Sequence, residues 1–407
     1  MVQALAEENL ETGKPEWNYK MLFVQTIAIV AMVLGHAGFN LPILANAIFP
    51  YYSWHMPLFV FVSGYFISAK GGYFAFVGRK CKRLLIPALL VRLALALLAA
   101  VACYSGLLQG MVVFSPYTIL VDPFIECAAF PFSNGMWFIF QLFLLEMIMG
   151  ALIRIPWKRI SFIIVLVSLL MSVAALYIVD TCFSEYPKGL SLVVTRSAFL
   201  LFFMAAGHWY RQWEGKVRIK PWLLLSIIVL AQSAFLVFTG SNIEFSAHTM
   251  ELRAVPFFFS PIITTLTATA ALLCVAKMLL PVLKGNRLVL AIGSHTKDIL
   301  YYHQICLLLI NCVYMVLYHR TGSTLFKGFY FDMIRAAWYA FPLGGASLGQ
   351  LPYILVSLSL PVLIPSWIKK VPKTWQKIAL TTALWLLLAA YLIVMGKYAV
   401  EAVGLPR

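Results

Sequence analysis

The sequence predicts an all-α, polytopic integral membrane protein, a helical bundle of about 10–11 transmembrane helices. Hydrophobic residues make up 62% of the chain and charged residues only 11%. The mean hydropathy is +0.89. Apolar runs of about 20 residues, the length that crosses a bilayer, recur along the whole chain. Composition and periodicity therefore exclude a water-soluble globular domain.

Eleven apolar runs are the predicted spans. They cover residues 21–39, 48–68, 84–103, 134–153, 160–179, 191–210, 221–239, 256–280, 298–318, 349–365 and 379–396. We expect a cytoplasmic tail at 1–18, a transmembrane domain at 19–396 and a C-terminal tail at 397–407. The first run is predicted to be a retained helix, because the residues before it are polar and no small-residue cleavage site follows it.

The net charge of +16 has two possible explanations, a nucleic-acid partner or the positive-inside bias of membrane proteins. With a cytoplasmic N-terminus, twenty lysines and arginines fall in the predicted inner connections and eight on the outer side. This distribution is typical of topology, so no nucleic acid is expected as a partner. It also predicts an extracytoplasmic C-terminus.

The first span carries Gln25 and His36 as its strongly polar side chains. Eleven residues at 100° each return to within about 20° of the same direction, so both lie on one side of a helix. His36 lies about 22 Å from the inner end, in the outer half of the bilayer. A polar stripe inside a membrane indicates a functional site, although a histidine bonded to a neighbouring helix would explain His36 equally well.

Five further motifs follow along the chain. They are Trp54-His55-Met56-Pro57-Leu58-Phe59 with Phe61-Val62-Ser63-Gly64-Tyr65, a basic cluster (Lys70, Arg79, Lys80, Lys82, Arg83) running into Leu84-Leu85-Ile86-Pro87, Ser133-Asn134-Gly135-Met136-Trp137-Phe138, Thr195-Arg196 before Phe199, and Ile299-Leu300-Tyr301-Tyr302-His303-Gln304. Together with the histidine that closes the first span, they resemble acyltransferase family 3, the integral membrane O-acyltransferases of bacterial glycans, in its sugar O-acetylase-like branch.

The resemblance implies an acyltransferase domain of ten core helices at 19–396, plus an extra C-terminal helix. It also implies a bacterial inner (cytoplasmic) membrane. The donor would be an acyl-CoA, most simply acetyl-CoA, and the acceptor a hydroxyl of a cell-surface or lipid-linked glycan. The expected partners are the lipid bilayer and these two substrates, and no metal is expected.

His36 and Glu146 are the predicted catalytic residues. A hydroxyl is a weak nucleophile until its proton is taken, so His36 either deprotonates the acceptor or carries the acyl group transiently. The family places an acidic and a basic residue where this chain has Leu22 and Gln25. Either Glu146, a carboxylate inside a span, replaces them, or the chain belongs to a divergent branch.

Lys80, Arg83 and His303 are the predicted donor-binding residues. Lys80 and Arg83, three apart on one helical face, suit the phosphates of a coenzyme A donor, although positive-inside bias also explains them. Position 80 is usually arginine in the family, and lysine would bind phosphate as a point charge. His303 lies about one and a half turns from the inner end of its span, which predicts a donor-side residue rather than a partner of His36.

Gln25, His55, Trp137 and Arg196 are the predicted substrate-binding residues. For His55 the simpler explanation is an interfacial aromatic belt, which favours a supporting role. Arg196 either holds an anionic group or snorkels to the surface.

A second class of function fits some of the same features: a secondary transporter or flippase for a lipid-linked sugar or an acylated metabolite. Such a protein also needs intramembrane polar groups. The sequence has no matched pair of interrupted helices, which argues against it. Binding of coenzyme A would separate the two hypotheses.

Overall fold

The computed structural model describes residues 6–8, 15–38, 48–157, 159–216, 218–240, 244–253, 255–322, 334 and 347–401. The α-helices within these ranges are α1 (Tyr19–His36), α2 (Tyr51–Phe66), α3 (Tyr73–Lys80), α4 (Ile86–Tyr104), α5 (Trp137–Leu152), α6 (Ile160–Cys182), α7 (Gly189–Trp213), α8 (Pro221–Thr239), α9 (Ser260–Leu283), α10 (Arg287–Ser294), α11 (Thr296–Thr321), α12 (Leu351–Lys370) and α13 (Thr374–Glu401).

The all-α membrane fold is confirmed. Ten helical segments of the described chain are long and apolar enough to cross a membrane. The predicted span 48–68 forms α2, which has 16 residues, as does α5 in the predicted span 134–153. Two small antiparallel sheets accompany the helices, β1 (Ala6–Glu8) with β2 (Pro15–Trp17) and β3 (Glu244–Ser246) with β4 (Glu251–Arg253). Residues 1–5, 9–14 and 402–407 of the predicted tails lie outside the described residues.

The basic segment before the third span is helical rather than a loop. α3 runs into α4 through a π-helical turn, Cys81–Leu85, which gives one helical segment from Tyr73 to Tyr104. Pro87 follows that turn, and a proline can neither donate to nor pack closely against the helical turn before it. A π turn is one way for a helix to accommodate such a defect without ending. The basic side chains are therefore held on a helix.

The chain divides into two compact units, each described by itself. The first unit comprises Met1–Met32, Leu41–Ile86 and Phe138–Ser294, and the second comprises Val33–Asn40, Pro87–Trp137 and His295–Arg407.

In the first unit, α2 is buried from Ser53 to Tyr65 and packs against α7 and α9. Two glycines let α2 and α7 approach until their backbones touch. A Cβ on Gly64 would collide with the carbonyl oxygen of Met204, and a Cβ on Gly207 with that of Phe61. Small residues commonly allow this contact between membrane helices, where close packing replaces the hydrophobic effect as the source of stability.

A charged network lies at one end of the same unit. Lys20 at the start of α1 forms an ion pair with Glu214, and the hydroxyl of Tyr65 donates to the same carboxylate at 2.9 Å. The ammonium group of Lys20 also lies 5.4 Å from the ring centres of Tyr65 and Tyr210. Paired in this way, the charges of a largely buried lysine and glutamate are tolerated.

In the second unit, a buried ion pair ties the 3₁₀ segment Asp122–Phe124 to α4. Arg92 donates to the carboxylate of Asp122 at 2.5 Å and to the carbonyl of Thr118 at 2.6 Å. The guanidinium carbon lies 4.3 Å from the centre of the Phe130 ring. Arg92 is a charge inside a span, and this pairing shows how the fold accommodates it.

The remaining helices of the second unit pack around α11. α12 lies along α11, where the Tyr353 hydroxyl donates to Asn311 at 2.5 Å. The hydroxyl of Ser105, just after α4, donates to the carbonyl of Leu392 in α13 at 3.2 Å. The predicted span 379–396 lies in α13, which contributes buried residues to this unit.

We expect Gly207→Ala to destabilise the protein by about 1–3 kcal/mol, because the added methyl group meets a backbone carbonyl that cannot rotate away. The measurement is the thermal unfolding midpoint of the purified protein in detergent. Gly78→Ala is the matched control, since a Cβ there meets nothing within 4 Å. An equal midpoint for both variants would contradict the close contact of α2 and α7.

Candidate active site

His36 and His303 face each other in the second unit. His36 is the last residue of α1, and His303 lies two turns into α11. Their ring centroids are 4.9 Å apart, with the planes inclined by 42°. His36 is partly exposed, whereas His303 is 1% exposed. The imidazole of His36 is therefore partly accessible, and that of His303 is buried next to it.

The prediction that His303 would not be a partner of His36 was wrong. It rested on counting residues from the presumed inner end of each span, which treats all helices as upright and starting at one level. Tilt and starting depth are set by packing against neighbours, so residue counts do not fix relative depth. The predicted donor-binding role of His303 stays a prediction.

The hydrogen bonds of His303 define its tautomer. Its Nδ1 lies 2.9 Å from the carbonyl oxygen of Leu300 and 3.2 Å from that of Ile299. Carbonyls only accept, so Nδ1 carries the hydrogen, and in the neutral ring Nε2 then has the lone pair. Nε2 is buried, and it has no hydrogen-bond partner within the described part of the chain. The ring is thus anchored on one side and available as an acceptor on the other.

The backbone at Gly135 lies directly against this imidazole. Gly135 belongs to the 3₁₀ segment Pro131–Met136, which packs on α11. A Cβ on Gly135 would lie 3.0 Å from Cε1 and 3.6 Å from Nε2 of His303, and 3.9 Å from Nε2 of Gln304. Glycine therefore keeps the space beside the free nitrogen open.

Two amide side chains add further polar atoms to this region. The Oδ1 atom of Asn134 and the Oε1 atom of Gln304 are buried, and neither has a hydrogen-bond partner among the described residues. We call His36, Asn134, Gly135, His303 and Gln304 the imidazole cluster. The two amides were not predicted as site residues, although both belong to motifs noted in the sequence.

A cavity of about 260 Å³ lies in the first unit. We call it the basic cavity. Its polar lining residues are Ser68, Lys70, Arg79, Lys80, Arg83 and Glu146. α3 and the π turn supply three of the cations, and α5 supplies the glutamate. The predicted pair Lys80 and Arg83 thus lines one cavity.

Glu146 is held by two neighbours at the wall of the basic cavity. Its Oε1 accepts from Lys80 Nζ at 2.7 Å and from Ser63 Oγ at 2.8 Å. Its Oε2 is buried and has no hydrogen-bond partner in the described ranges. The ion pair with Lys80 makes a charged carboxylate tolerable in this span. A catalytic role for Glu146 stays a prediction.

The predicted substrate-binding residues are all buried. Trp137 begins α5 in the second unit, and Gln25, His55 and Arg196 belong to the first. His55 Nδ1 lies 2.7 Å from the carbonyl of Tyr51, consistent with a supporting role. Arg196 is buried and does not snorkel to the surface. Their role in binding a substrate stays a prediction.

Comparison with known proteins identifies the family. The model of the acyltransferase family 3 domain, described as an acyltransferase domain, matches residues 18–326. The matched range includes α1 to α11, and with them the imidazole cluster and the basic cavity. No curated protein and no solved structure matches the chain. Because the match covers well over half of the chain, this protein belongs to acyltransferase family 3 and is a multi-pass membrane acyltransferase.

Proposed function

We propose that this enzyme transfers an acyl group, most simply acetyl, from acyl-CoA at the cytoplasmic side to a hydroxyl of a cell-surface or lipid-linked glycan. The observation that carries the proposal is the charge of the basic cavity. Four cations and one carboxylate leave three positive charges around a space of about 260 Å³. A donor with several phosphates suits such a cavity, because cations near phosphate form strong charge-assisted hydrogen bonds.

The donor would be held by the side chains that the cavity presents. Lys80 is positioned by Glu146, whereas the exposed Arg83 is free to offer its planar, forked guanidinium to a phosphate. Lys80 would exchange part of its bond with Glu146 for a bond to the ligand. The negative charge of Glu146 would then repel an anion that does not also reach the cations. The cavity would therefore select against such anions.

The chemistry would take place at His36. As the accessible imidazole of the cluster, His36 takes the proton of the acceptor hydroxyl while the oxygen attacks the thioester carbonyl. The carbon–sulfur bond then breaks, and the thiolate of coenzyme A receives the proton. In the alternative route a nitrogen of His36 attacks first and carries the acyl group to the hydroxyl. Mass spectrometry separates the two routes. The protein is incubated with acetyl-CoA without acceptor and then quenched, and an added acetyl mass on the protein supports the second route.

A bacterial inner-membrane location fits a cytoplasmic donor and an acceptor at the cell surface. Acyl-CoA is a cytoplasmic metabolite, and the basic segment 70–83 lies on the predicted cytoplasmic side of the membrane. A transporter or flippase has no need of coenzyme A. Equilibrium binding of coenzyme A to the purified protein would support the enzyme, and lack of binding would favour a transport function.

We expect His36→Ala to fold and insert normally but to lose transfer activity by about 100- to 10,000-fold, the usual contribution of a general base. The assay follows release of free thiol from acetyl-CoA by purified enzyme in lipid nanodiscs, with methyl glycosides as acceptors. His208→Ala, which removes a histidine of α7 outside the imidazole cluster, is the control. Turnover at the wild-type rate in His36→Ala would refute the assignment.

We expect the double variant Lys80→Gln/Arg83→Gln to raise the KM for acetyl-CoA at least about tenfold while changing kcat little. The phosphates are bound in the ground state and the transition state alike, and the loss of uniform binding appears in KM.

The matched control for that variant is Lys82→Gln/Lys284→Gln. It removes the same charge from the same predicted side of the membrane at two exposed positions that do not line the basic cavity. If both double variants raise the KM equally, the cations act only through topology or general attraction. Glu146 keeps the hydrogen bond from Ser63 in the double variant, and thermal unfolding checks that loss of the ion pair leaves the protein folded.

We expect a cytoplasmic N-terminus and an extracytoplasmic C-terminus, because the cations concentrate in the connections on one side. A reporter enzyme that works only in the periplasm should be active when fused after Arg407 and inactive when fused after Lys14. The opposite pattern would place the basic segment outside and would remove the cytoplasmic donor site from the proposal.

A further inference from the structure

The free Nε2 atom of His303 has no role in the function proposed above. It is buried in the second unit, and the tautomer set by Leu300 and Ile299 makes it an acceptor. Leaving a buried acceptor without a donor costs about 1–3 kcal/mol. Such a group in a native structure calls for an explanation, and one explanation is a partner that forms its bond only during the reaction.

The ring of His36 is the neighbour that can supply the donor. With ring centroids 4.9 Å apart, a rotation of the partly exposed His36 brings one of its nitrogens within the range of about 2.7–3.2 Å that N–H hydrogen bonds need. Gly135 places no side chain beside Nε2, where a Cβ would lie only 3.6 Å from it. His303 itself cannot turn, because its Nδ1 is tied to the backbone of α11.

We propose that His303 is a positioning residue for His36: its Nε2 accepts the N–H of His36, which directs the lone pair of His36 at the reacting substrate. This inference rests on the proposed function. The carbonyls of α11 hold His303, and His303 holds His36. Catalytic bases are commonly oriented by a further group that accepts their second N–H, and His303 takes that role here. Here that group is a neutral imidazole anchored to the backbone.

The hydrogen shared between His36 and His303 stays on His36 throughout the reaction. The hydroxyl proton of the acceptor goes to the substrate-facing nitrogen of His36, and the other nitrogen keeps its hydrogen in the bond to His303. The oxygen–carbonyl bond forms, the carbon–sulfur bond breaks, and the same proton leaves His36 for the thiolate. His303 stabilises the charged imidazolium between these events.

A series of variants tests the proposal in the nanodisc assay with acetyl-CoA and methyl glycosides. His303→Phe keeps a ring of similar shape but cannot accept a hydrogen bond, and we expect kcat to fall about 100-fold with both KM values within threefold of wild type. His303→Gln places an amide near the position of Nε2 and should retain at least tenfold more activity than His303→Phe. His319→Phe, at the other end of α11, is the matched control and should match wild type.

The double variant His36→Ala/His303→Phe separates positioning from an independent contribution. If His303 acts through His36, the double variant is no slower than His36→Ala alone, because groups that work as a unit are not additive. Losses that multiply would overturn the proposal. So would a His303→Phe enzyme within threefold of wild-type kcat, or His303→Gln no better than His303→Phe while both remain folded by thermal unfolding.

Failure of this inference differs from failure of the proposed function. If wild type releases no thiol with any glycoside, or if His36→Ala is fully active, the proposed function falls. If His36→Ala is inactive and His303→Phe is active, only the positioning role of His303 falls.

Discussion

Every polar group inside a membrane-spanning helix must be paired, because hydrocarbon offers no water to replace a missing partner. This constraint organises both units of the protein. The charge of Arg92 is neutralised by Asp122, with a second bond to a backbone carbonyl, and the charge of Lys80 is neutralised by Glu146. Each pair joins elements distant in sequence, so the need to neutralise one charge also fixes where a loop or a helix lies.

The same constraint draws attention to buried polar atoms that have no partner. Arg92 has its charge neutralised within the fold and serves to hold it together. The Nε2 of His303 and the Oε2 of Glu146 are buried without a partner in the described chain. What distinguishes these two atoms from others of the same kind is their surroundings, since His303 faces a second imidazole and Glu146 lines a cavity.

The architecture could be predicted from the sequence because bilayer thickness imposes one length on every span. The shared side of Lys80 and Arg83 could also be predicted, and both line the basic cavity, since periodicity places residues on helix faces without knowledge of the neighbours. The meeting of His303 with His36 could not be predicted, because it depends on how deep each helix starts. Arg92 was likewise unassigned, since its partner lies thirty residues away beyond the end of the helix. Neighbouring helices, rather than local sequence, decide both contacts.

The glycine contact between α2 and α7 has a mechanical consequence. Two helices whose backbones interlock at Gly64 and Gly207 cannot slide past one another, because each glycine is seated against a carbonyl of the other helix. α3, by contrast, buries only Phe76, whose ring rests on Gly150 of α5. It is also held to α5 by side chains, through the Lys80–Glu146 ion pair and a hydrogen bond from the Tyr73 hydroxyl to the carbonyl of Met147. A bulky ligand of the basic cavity can therefore exchange these side-chain bonds while the interlocked backbones of α2 and α7 stay in place.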